Sequence, residues 1–314
     1  MFKTFNIFNS IKSGTIWNNI FIILAILLII LGIISFLKPV KEGFTFMNQF
    51  TEKTGDDIYD DFYVGVYDEL FLNDTKNEFE ENKIISITKP NKTSKFLDVG
   101  SGTGHHVNDF HKKGYNIIGI DKSDEMINYS REKYPDINVK KGDVLTTMVF
   151  NQAQFTHIMC LYFTIYNIDN KREFFANAMT WLRPGGYLIL HLVNRDSFEA
   201  LVPGSGTTTT QQHNKERLTT SNVNFNNFTY KADFNPKSET ANNQSVYAND
   251  VAIFREIFKD KSGNIRQNTH KLYMPTQKKI LEMARDAGFI IIEKNNLEAV
   301  QFSEQYIYIL QKPN

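Results

Sequence analysis

Thiols are almost absent: among 314 residues, Cys160 is the single cysteine. One thiol excludes an internal disulfide and a zinc site built from several thiolates, and it suits a reducing compartment. An excess of either charge is also missing, with Lys+Arg and Asp+Glu both at 35. Chains held to DNA or RNA through phosphates carry a basic excess, so no nucleic-acid partner is expected. Internal repeats are lacking. Hydrophobic residues at 41% and charged residues at 22% are compatible with a packed core over most of the length. Asn-x-Ser/Thr triplets at Asn73, Asn91, Asn128, Asn227 and Asn243 read as chance matches in an Asn-rich chain.

Long apolar runs are confined to one place. Residues 20–37 read IFIILAILLIILGIISFL, with no charge and only Gly32 and Ser35 as interruptions. As a helix this run covers about 27 Å, close to the hydrocarbon core of about 30 Å. Trp17 marks one edge and Lys38 and Lys41 the other. The run exceeds a signal-peptide core and offers no small-x-small cleavage site. The expected organisation is a tail over 1–19, a single transmembrane helix over 20–38, a connector over 39–53 and a folded domain over 54–314. Lys3 and Lys12 before the span nearly balance Lys38 and Lys41 after it, so these charges do not set the orientation.

Within the folded domain, residues 54–72 read as an acidic, aromatic helix opened by Thr54 and Asp57 at capping-box spacing. From Lys95 strands and helices alternate. Strands are expected over 95–100, 115–120, 137–141, 155–162 and 187–193, with helices over 104–113, from Ser123 to just before Pro135, and from Asn170 to Trp181. Such alternation builds a parallel sheet covered on both faces. The pattern then breaks. Residues 203–222 look like a loop, while 224–234, 246–259 and 265–274 look like strands, the last two joined at Lys261-Ser-Gly263. They form an expected antiparallel cap over about 194–274. A helix over 276–287, ended by Gly288, and strands over 289–294 and 305–311 complete the domain.

The chemistry concentrates at strand ends. Asp98-Val-Gly100-Ser-Gly102-Thr-Gly104 links a strand to a helix, and its glycines let the backbone turn tightly against a ligand. The spacing Gly-x-Gly-x-Gly departs from the dinucleotide fingerprint Gly-x-Gly-x-x-Gly. Asp98, ahead of the loop, suits an ammonium and repels a pyrophosphate. Asp121 ends the second strand, where a carboxylate can accept hydrogen bonds from two ribose hydroxyls. Asp143, after the third, can accept from an exocyclic adenine amine. Three carboxylates at successive strand ends converge on the crevice where open α/β sheets bind ligands.

These residues resemble the class I S-adenosylmethionine-dependent methyltransferase family, in its small-molecule type. The likeness runs through Leu97-Asp-Val-Gly-Ser-Gly-Thr-Gly104, Gly119-Ile-Asp121, Gly142-Asp143, residues 155–166 and Leu182-Arg-Pro-Gly-Gly-Tyr-Leu188. It implies a Rossmann-like α/β fold: a seven-stranded, mostly parallel sheet with its last strand antiparallel, and a cap after the fifth strand. It implies S-adenosylmethionine as cofactor, with Gly100, Gly102 and Gly104 along the methionine part, Asp121 at the ribose and Asp143 at the adenine. Asp98, Ser101, Thr103, Lys122, Met126 and Val144 complete the expected cofactor-binding set, with Tyr63 on a helix that closes over it. Thr156 departs from the family, whose fourth strand often starts with Asp. Cofactor supply places the domain in the cytosol, and tethering suits a small-molecule or lipid-like acceptor.

Methyl transfer from a sulfonium is mainly alignment and exclusion of water; an oxygen or protonated nitrogen acceptor adds the need for a base. His191, His270 and Tyr166 are the catalytic candidates, each weighed against a structural role. His105 and His106 follow the glycine loop, Tyr162 follows the fourth strand, and Arg195 and Arg255 suit an anionic substrate. The run Leu161-Tyr-Phe-Thr164 lacks the Asn/Asp-Pro-Pro-aromatic pattern of amino-directed DNA methyltransferases, and Cys160 lacks the preceding proline of cytosine-carbon enzymes. Two other readings are a tethered module that binds the cofactor without turnover and an NAD-linked oxidoreductase. The loop spacing and Asp98 count against the latter.

Overall fold

The computed structural model describes residues 23–27, 29, 50–199, 220–235 and 250–314. Two compact units are present, Met1–Thr45 and Phe46–Asn314. In the first, residues 23–27 and 29 are helical with exposed side chains. The rest of the apolar run over 20–37 lies outside the described residues. Among those described, no helix is long and apolar enough to cross a membrane.

The second unit contains two sheets. Strands β1 to β12 span Phe50–Thr54, Lys95–Val99, Asn116–Asp121, Val139–Lys141, Phe155–Cys160, Leu182–Val193, Thr220–Asn224, Phe228–Asn235, Val251–Asp260, Ile265–Tyr273, Ile290–Leu297 and Phe302–Gln311. Helices α1 to α7 span Asp61–Phe71, Asp74–Thr88, His105–Lys112, Asp124–Lys133, Thr164–Asn167, Lys171–Trp181 and Gln277–Asp286. The larger sheet has seven strands in the order β11-β12-β6-β5-β2-β3-β4. All pairs are parallel except those of β12, which runs antiparallel to β6 and to β11. From β2 the chain winds one way through β3 and β4, and from β5 the other way through β6. That reversal opens a crevice at the carboxyl ends of β2 and β5.

Side chains alternate across this sheet and feed two cores. Leu97, Val99, Ile158, Leu188 and Leu190 pack with Phe174, Phe175 and Trp181 of α6 and Ile280 of α7 on one face. Phe96, Met159, Ile189 and Ile307 pack with Ile84 of α2, Val107 and Phe110 of α3 and Ile127 of α4 on the other. Each fully buried Leu, Ile or Phe stabilises the fold by about 1.5–3 kcal/mol relative to exposure, so both helix layers are firmly held.

The smaller sheet has the order β1-β10-β9-β8-β7. Its four later strands form the antiparallel cap, and Phe50–Thr54 adds a parallel edge strand along β10.

Several elements differ from the sequence reading for local reasons. Thr54 ends β1 and its side chain caps nothing; a 3₁₀ turn over Gly55–Ile58 follows. Helix α1 starts only at Asp61, where the Asp60 carboxylate accepts from Tyr63 N. Helix α2, absent from the expected elements, is opened by Asn73 accepting from Lys76 N. The expected loop ends sooner, because Thr220–Asn224 pairs with β8 and buries Ser221; residues 200–219 and 236–249 lie outside the described residues. Strand β6 already begins at Leu182 and takes the Pro184-Gly185-Gly186 turn into a break of register against β5, with Gly185 at φ +72°.

Candidate active site

The crevice between β2 and β5 holds a pocket whose floor is the glycine loop. Gly100 and Ser101 both donate backbone N–H bonds to Ile120 O, at 2.8 and 3.0 Å, which folds the loop back over β3. Gly100 has φ +65°, and a Cβ there would stand 2.5 Å from Thr164 Cγ2. Only glycine lets α5 close so tightly onto the loop. Asp121 fastens the loop from the other side: Oδ2 accepts from Gly102 N and Oδ1 from Ser123 N, both at 2.9 Å. Helix α4 then starts with Ser123 Oγ accepting from Met126 N at 3.1 Å, as the sequence suggested.

Asp98, Gly100, Ser101, Gly102 and Thr103 line the pocket. Asp98 is 3% exposed, and no hydrogen bond to its carboxylate is formed among the described residues. Burial, with the nearby charges of Asp121 and Glu81, pushes its carboxyl up to about 8. A carboxylate in this position lacks a cationic partner. Gly104 serves packing instead, since a Cβ there would meet Ser130 Cβ at 2.9 Å. Met126 is buried with its sulfur toward Gly102. Lys122 reaches Asp56 at 2.8 Å and Asp143 at 4.0 Å. Asp143 also accepts from Leu145 N at 2.9 Å, and Val144 O accepts from Asn177 Nδ2 at 3.0 Å.

Helix α1 forms the opposite wall through Tyr67 and Asp68. Asp68 accepts from Thr103 Oγ1 and Lys133 Nζ, each at 2.6 Å, and lies 3.2 Å from His105 Nε2. Burial opposes its ionisation, but hydrogen bonds from His105, Lys133 and Thr103 prevail and hold it at about 2. Tyr63 is buried one turn back from Tyr67, outside the pocket lining, with its hydroxyl 3.5 Å from His270 Nε2.

The catalytic candidates fall in different surroundings. His191 is buried between Tyr162 O, 2.6 Å from Nδ1, and Gln305 Oε1, 3.1 Å from Nε2. Burial and the charge of Lys76 push it down to about 3. It is thus a neutral core residue, its Nδ1–H donating to the Tyr162 carbonyl and its Nε2 facing the Gln305 amide. The Tyr166 hydroxyl accepts from Val193 N at 2.8 Å and also lies off the pocket lining. His270 bonds Glu256 at 2.6 Å inside the cap sheet. His106 and Tyr162 do line the pocket, Tyr162 donating to Asn77 Oδ1. Arg195 is tied to Asp250 and to Met274 O, at 2.9 and 2.5 Å, while Arg255 faces Thr269 across the hairpin. Thr164 and Asn167 of α5 and Asn77 of α2 join the lining without having been singled out. A glycine forced against α5 marks Thr164, but only once the fold is known.

Residues 96–186 match the profile of a family described as "Methyltransferase domain". Curated relatives include a dTDP-3-amino-3,4,6-trideoxy-alpha-D-glucopyranose N,N-dimethyltransferase of Streptomyces venezuelae, 24% identical over 42% of this chain and 58% of that protein. Glycine/sarcosine N-methyltransferase of Halorhodospira halochloris is 26% identical over 44% of this chain and 54% of its own length. The chain thus spans little more than half the length of these relatives. Among solved structures, the CcbJ methyltransferase of Streptomyces caelestis has a TM-score of 0.62 at 16% identity, covering 82% of this chain and 99% of that one. S-adenosylmethionine-bound CalS10, an amino pentose methyltransferase of Micromonospora echinaspora, has 0.53 at 18%, covering 76% and 90%. The fold is therefore that of S-adenosylmethionine-dependent methyltransferases, a Rossmann-like α/β sheet closed by an antiparallel cap.

Proposed function

We propose that this chain is an S-adenosylmethionine-dependent methyltransferase for a small-molecule amine, held at a membrane by residues 20–37. The observation that carries the reading is Asp98: a buried carboxylate without a protein donor, beside a glycine loop, in a pocket of this fold. An α-ammonium fits it in charge and hydrogen bonding. Asp121, which fastens the glycine loop at the end of β3, and Asp143, just after β4, suit the nucleoside. When bound, S-adenosylmethionine supplies a methyl group on a sulfonium: the acceptor nitrogen–carbon bond forms as the carbon–sulfur bond breaks, its electron pair staying on sulfur. The chain's own residues bind, orient and exclude water. An amine is favoured because relatives from different organisms are named N-methyltransferases. The eighteen-residue apolar run, helical where described, supports the anchor, and cofactor supply, not the run, argues for a cytosolic domain.

Calorimetric titration with S-adenosylmethionine, its demethylated product and NAD is the first test. Micromolar binding of the first two without NAD is expected, and binding of neither would sink the cofactor assignment. Glycine, phosphoethanolamine and a dTDP-amino sugar, screened for release of the demethylated product, then test the amine. Sedimentation of the full chain with membranes, lost when residues 1–45 are removed, tests the anchor; a full chain that stays in the supernatant refutes it.

A further inference from the structure

Burying a carboxylate costs several kcal/mol unless something answers its charge, and Glu256 of β9 is fully buried inside the cap sheet. The hairpin register pairs Glu256 with Asn268 and Phe254 with His270. Glu256 and His270 are therefore diagonal neighbours on one face of the sheet. His270 Nε2 lies 2.6 Å from Glu256 Oε2. An ionised carboxylate only accepts, so the proton of this bond sits on Nε2 and the lone pair on Nδ1. Among the described residues no hydrogen bond reaches Nδ1.

The other direct partners of this carboxylate are neutral. Tyr230 Oη donates to Glu256 Oε1 at 2.7 Å and Asn268 Nδ2 to Oε2 at 3.3 Å, both neutral donors. Arg266, on the same strand as His270, directs its guanidinium to both oxygens of Asp60, at 2.7 and 2.8 Å, to Ile58 O and to Asn268 Oδ1. Asp60 is paired with both Arg266 and Lys53, the latter at 3.5 Å, so among the described residues neither cation bonds Glu256, whose carboxylate stands beside a histidine and a set of tyrosine rings. Tyr63 and Tyr59 lie 5.8 and 6.3 Å from the His270 ring, and Tyr67, which lines the pocket, lies 5.8 Å from Tyr63. Burial raises the hydroxyls of Tyr59 and Tyr67, with Tyr67 acting next on the first, and the charges of Asp121 and Glu256 reach both of them. These rings thus stand between the loop-fastening carboxylate and the cap cluster. From the other side α5, which lines the pocket, packs on β10.

We propose that His270, oriented by Glu256, accepts the proton of the amine acceptor. This rests on the methyltransferase reading above. An ammonium has no lone pair with which to attack. Its N–H bond breaks, the electron pair stays on nitrogen, and the proton passes to His270 Nδ1. The resulting imidazolium is matched by the Glu256 carboxylate on its Nε2 side. The tyrosine rings and the nearby Glu256 carboxylate hold the ammonium before transfer. Glu256 positions the ring and His270 touches substrate.

The test uses the full chain, S-adenosylmethionine and whichever amine of the panel turns over. His270→Ala lowers kcat by about 100-fold or more, the usual range for a lost base, with S-adenosylmethionine affinity unchanged. Added imidazoles restore turnover in order of their basicity, an order a packing role would not follow. A second readout needs no turnover: nitrogen-15 NMR finds His270 as the Nε2–H tautomer, and Glu256→Gln makes it a mixture while lowering kcat. Should His270→Ala fail to fold, Glu256→Gln, which keeps the ring and the volume, carries the test. Wild-type kcat in His270→Ala, rescue indifferent to basicity, or an Nδ1–H tautomer overturns the proposal. Intact S-adenosylmethionine binding with every amine inert overturns the amine and this pair together; absent binding instead overturns the cofactor reading itself.

Discussion

Cofactor binding should expel a proton at neutral pH. Asp98 sits in the pocket with its carboxyl pushed up to about 8, by burial first and then by Asp121 and Glu81. In the empty protein at pH 7 about nine in ten copies are therefore protonated. An arriving α-ammonium needs the carboxylate, so Asp98 gives up about 0.9 proton while the ligand's amine, with an ordinary value near 7.8, takes up about 0.1. The net release is about 0.8 proton at pH 7, shrinking toward zero near pH 8 and turning into uptake by pH 9. Calorimetry in buffers of different ionisation enthalpy reads this number as a slope. Asp98→Asn should abolish the release and weaken binding about 10- to 100-fold, the worth of one charge-assisted hydrogen bond. The same shift has a stability side. The folded protein holds this proton more tightly than the unfolded chain, so the contribution is full below pH 4 and is lost as pH rises through about 8. Taken at face value, the rise from 3.8 to about 8 corresponds to on the order of 5 kcal/mol; relaxation and water entry reduce this to a few. Asp98→Asn should thus raise the stability of the unliganded protein at pH 9 while lowering its affinity. A buffer-independent binding enthalpy at pH 7 would refute the reasoning.

Asp121→Ala removes the acceptor of Gly102 N and Ser123 N; S-adenosylmethionine affinity should fall at least tenfold, and unchanged affinity would sink the assignment. Gly100→Ala drives a Cβ to 2.5 Å from Thr164 Cγ2, whereas Gly102→Ala meets only Met126 Sδ at 4.0 Å. Both carry left-handed strain of about 1–2 kcal/mol, so urea unfolding should show Gly100→Ala costing about 1–3 kcal/mol more through overpacking. Equal costs would mean that α5 gives way. Asp68, held at about 2, contributes about 2 kcal/mol that is present above pH 4 and lost as pH falls through about 2. Asp68→Asn should lower stability at pH 7 by about that amount, and a wild-type denaturation midpoint would show that α1 is held otherwise.

What the sequence discloses depends on which residues carry the signal. The alternating element is legible from Lys95 onward because strand faces and helix faces there are apolar, with Asp98, Asp121 and Asp143 each placed by the strand it ends. Helix α2 is illegible for the opposite reason. Its buried face is mostly polar, Lys76, Asn77, Glu80, Glu81 and Thr88 with Ile84, so a search for an apolar stripe passes over it. Lys76 pairs with Glu80 at i,i+4, at 2.7 Å, but its place over the Tyr162 ring and the pairing of Glu81 with Lys113 arise only in three dimensions. Strand β1 is hidden too, because five residues reading FTEKT gain their meaning from the β10 edge they complete.

The same distinction separates the two halves of the site. The cofactor half is written locally, in a loop whose glycines and carboxylates lie within one strand-turn-helix unit. The acceptor half is assembled across elements. His191 and His270 look equivalent in the sequence, each a histidine in a strand, yet one is held in the core by the Tyr162 carbonyl and the other has a carboxylate behind it. Glu256 is recognisable as that partner only through the β9–β10 register, which the turn at Asp260–Gly263 sets by the Gly263 N to Asp260 O bond at 3.1 Å. A shift of one residue in that hairpin would turn Glu256 to the other face of the sheet, and His270 would lose the group that fixes its proton. The turn is therefore part of the acceptor site we propose, although it touches neither cofactor nor acceptor.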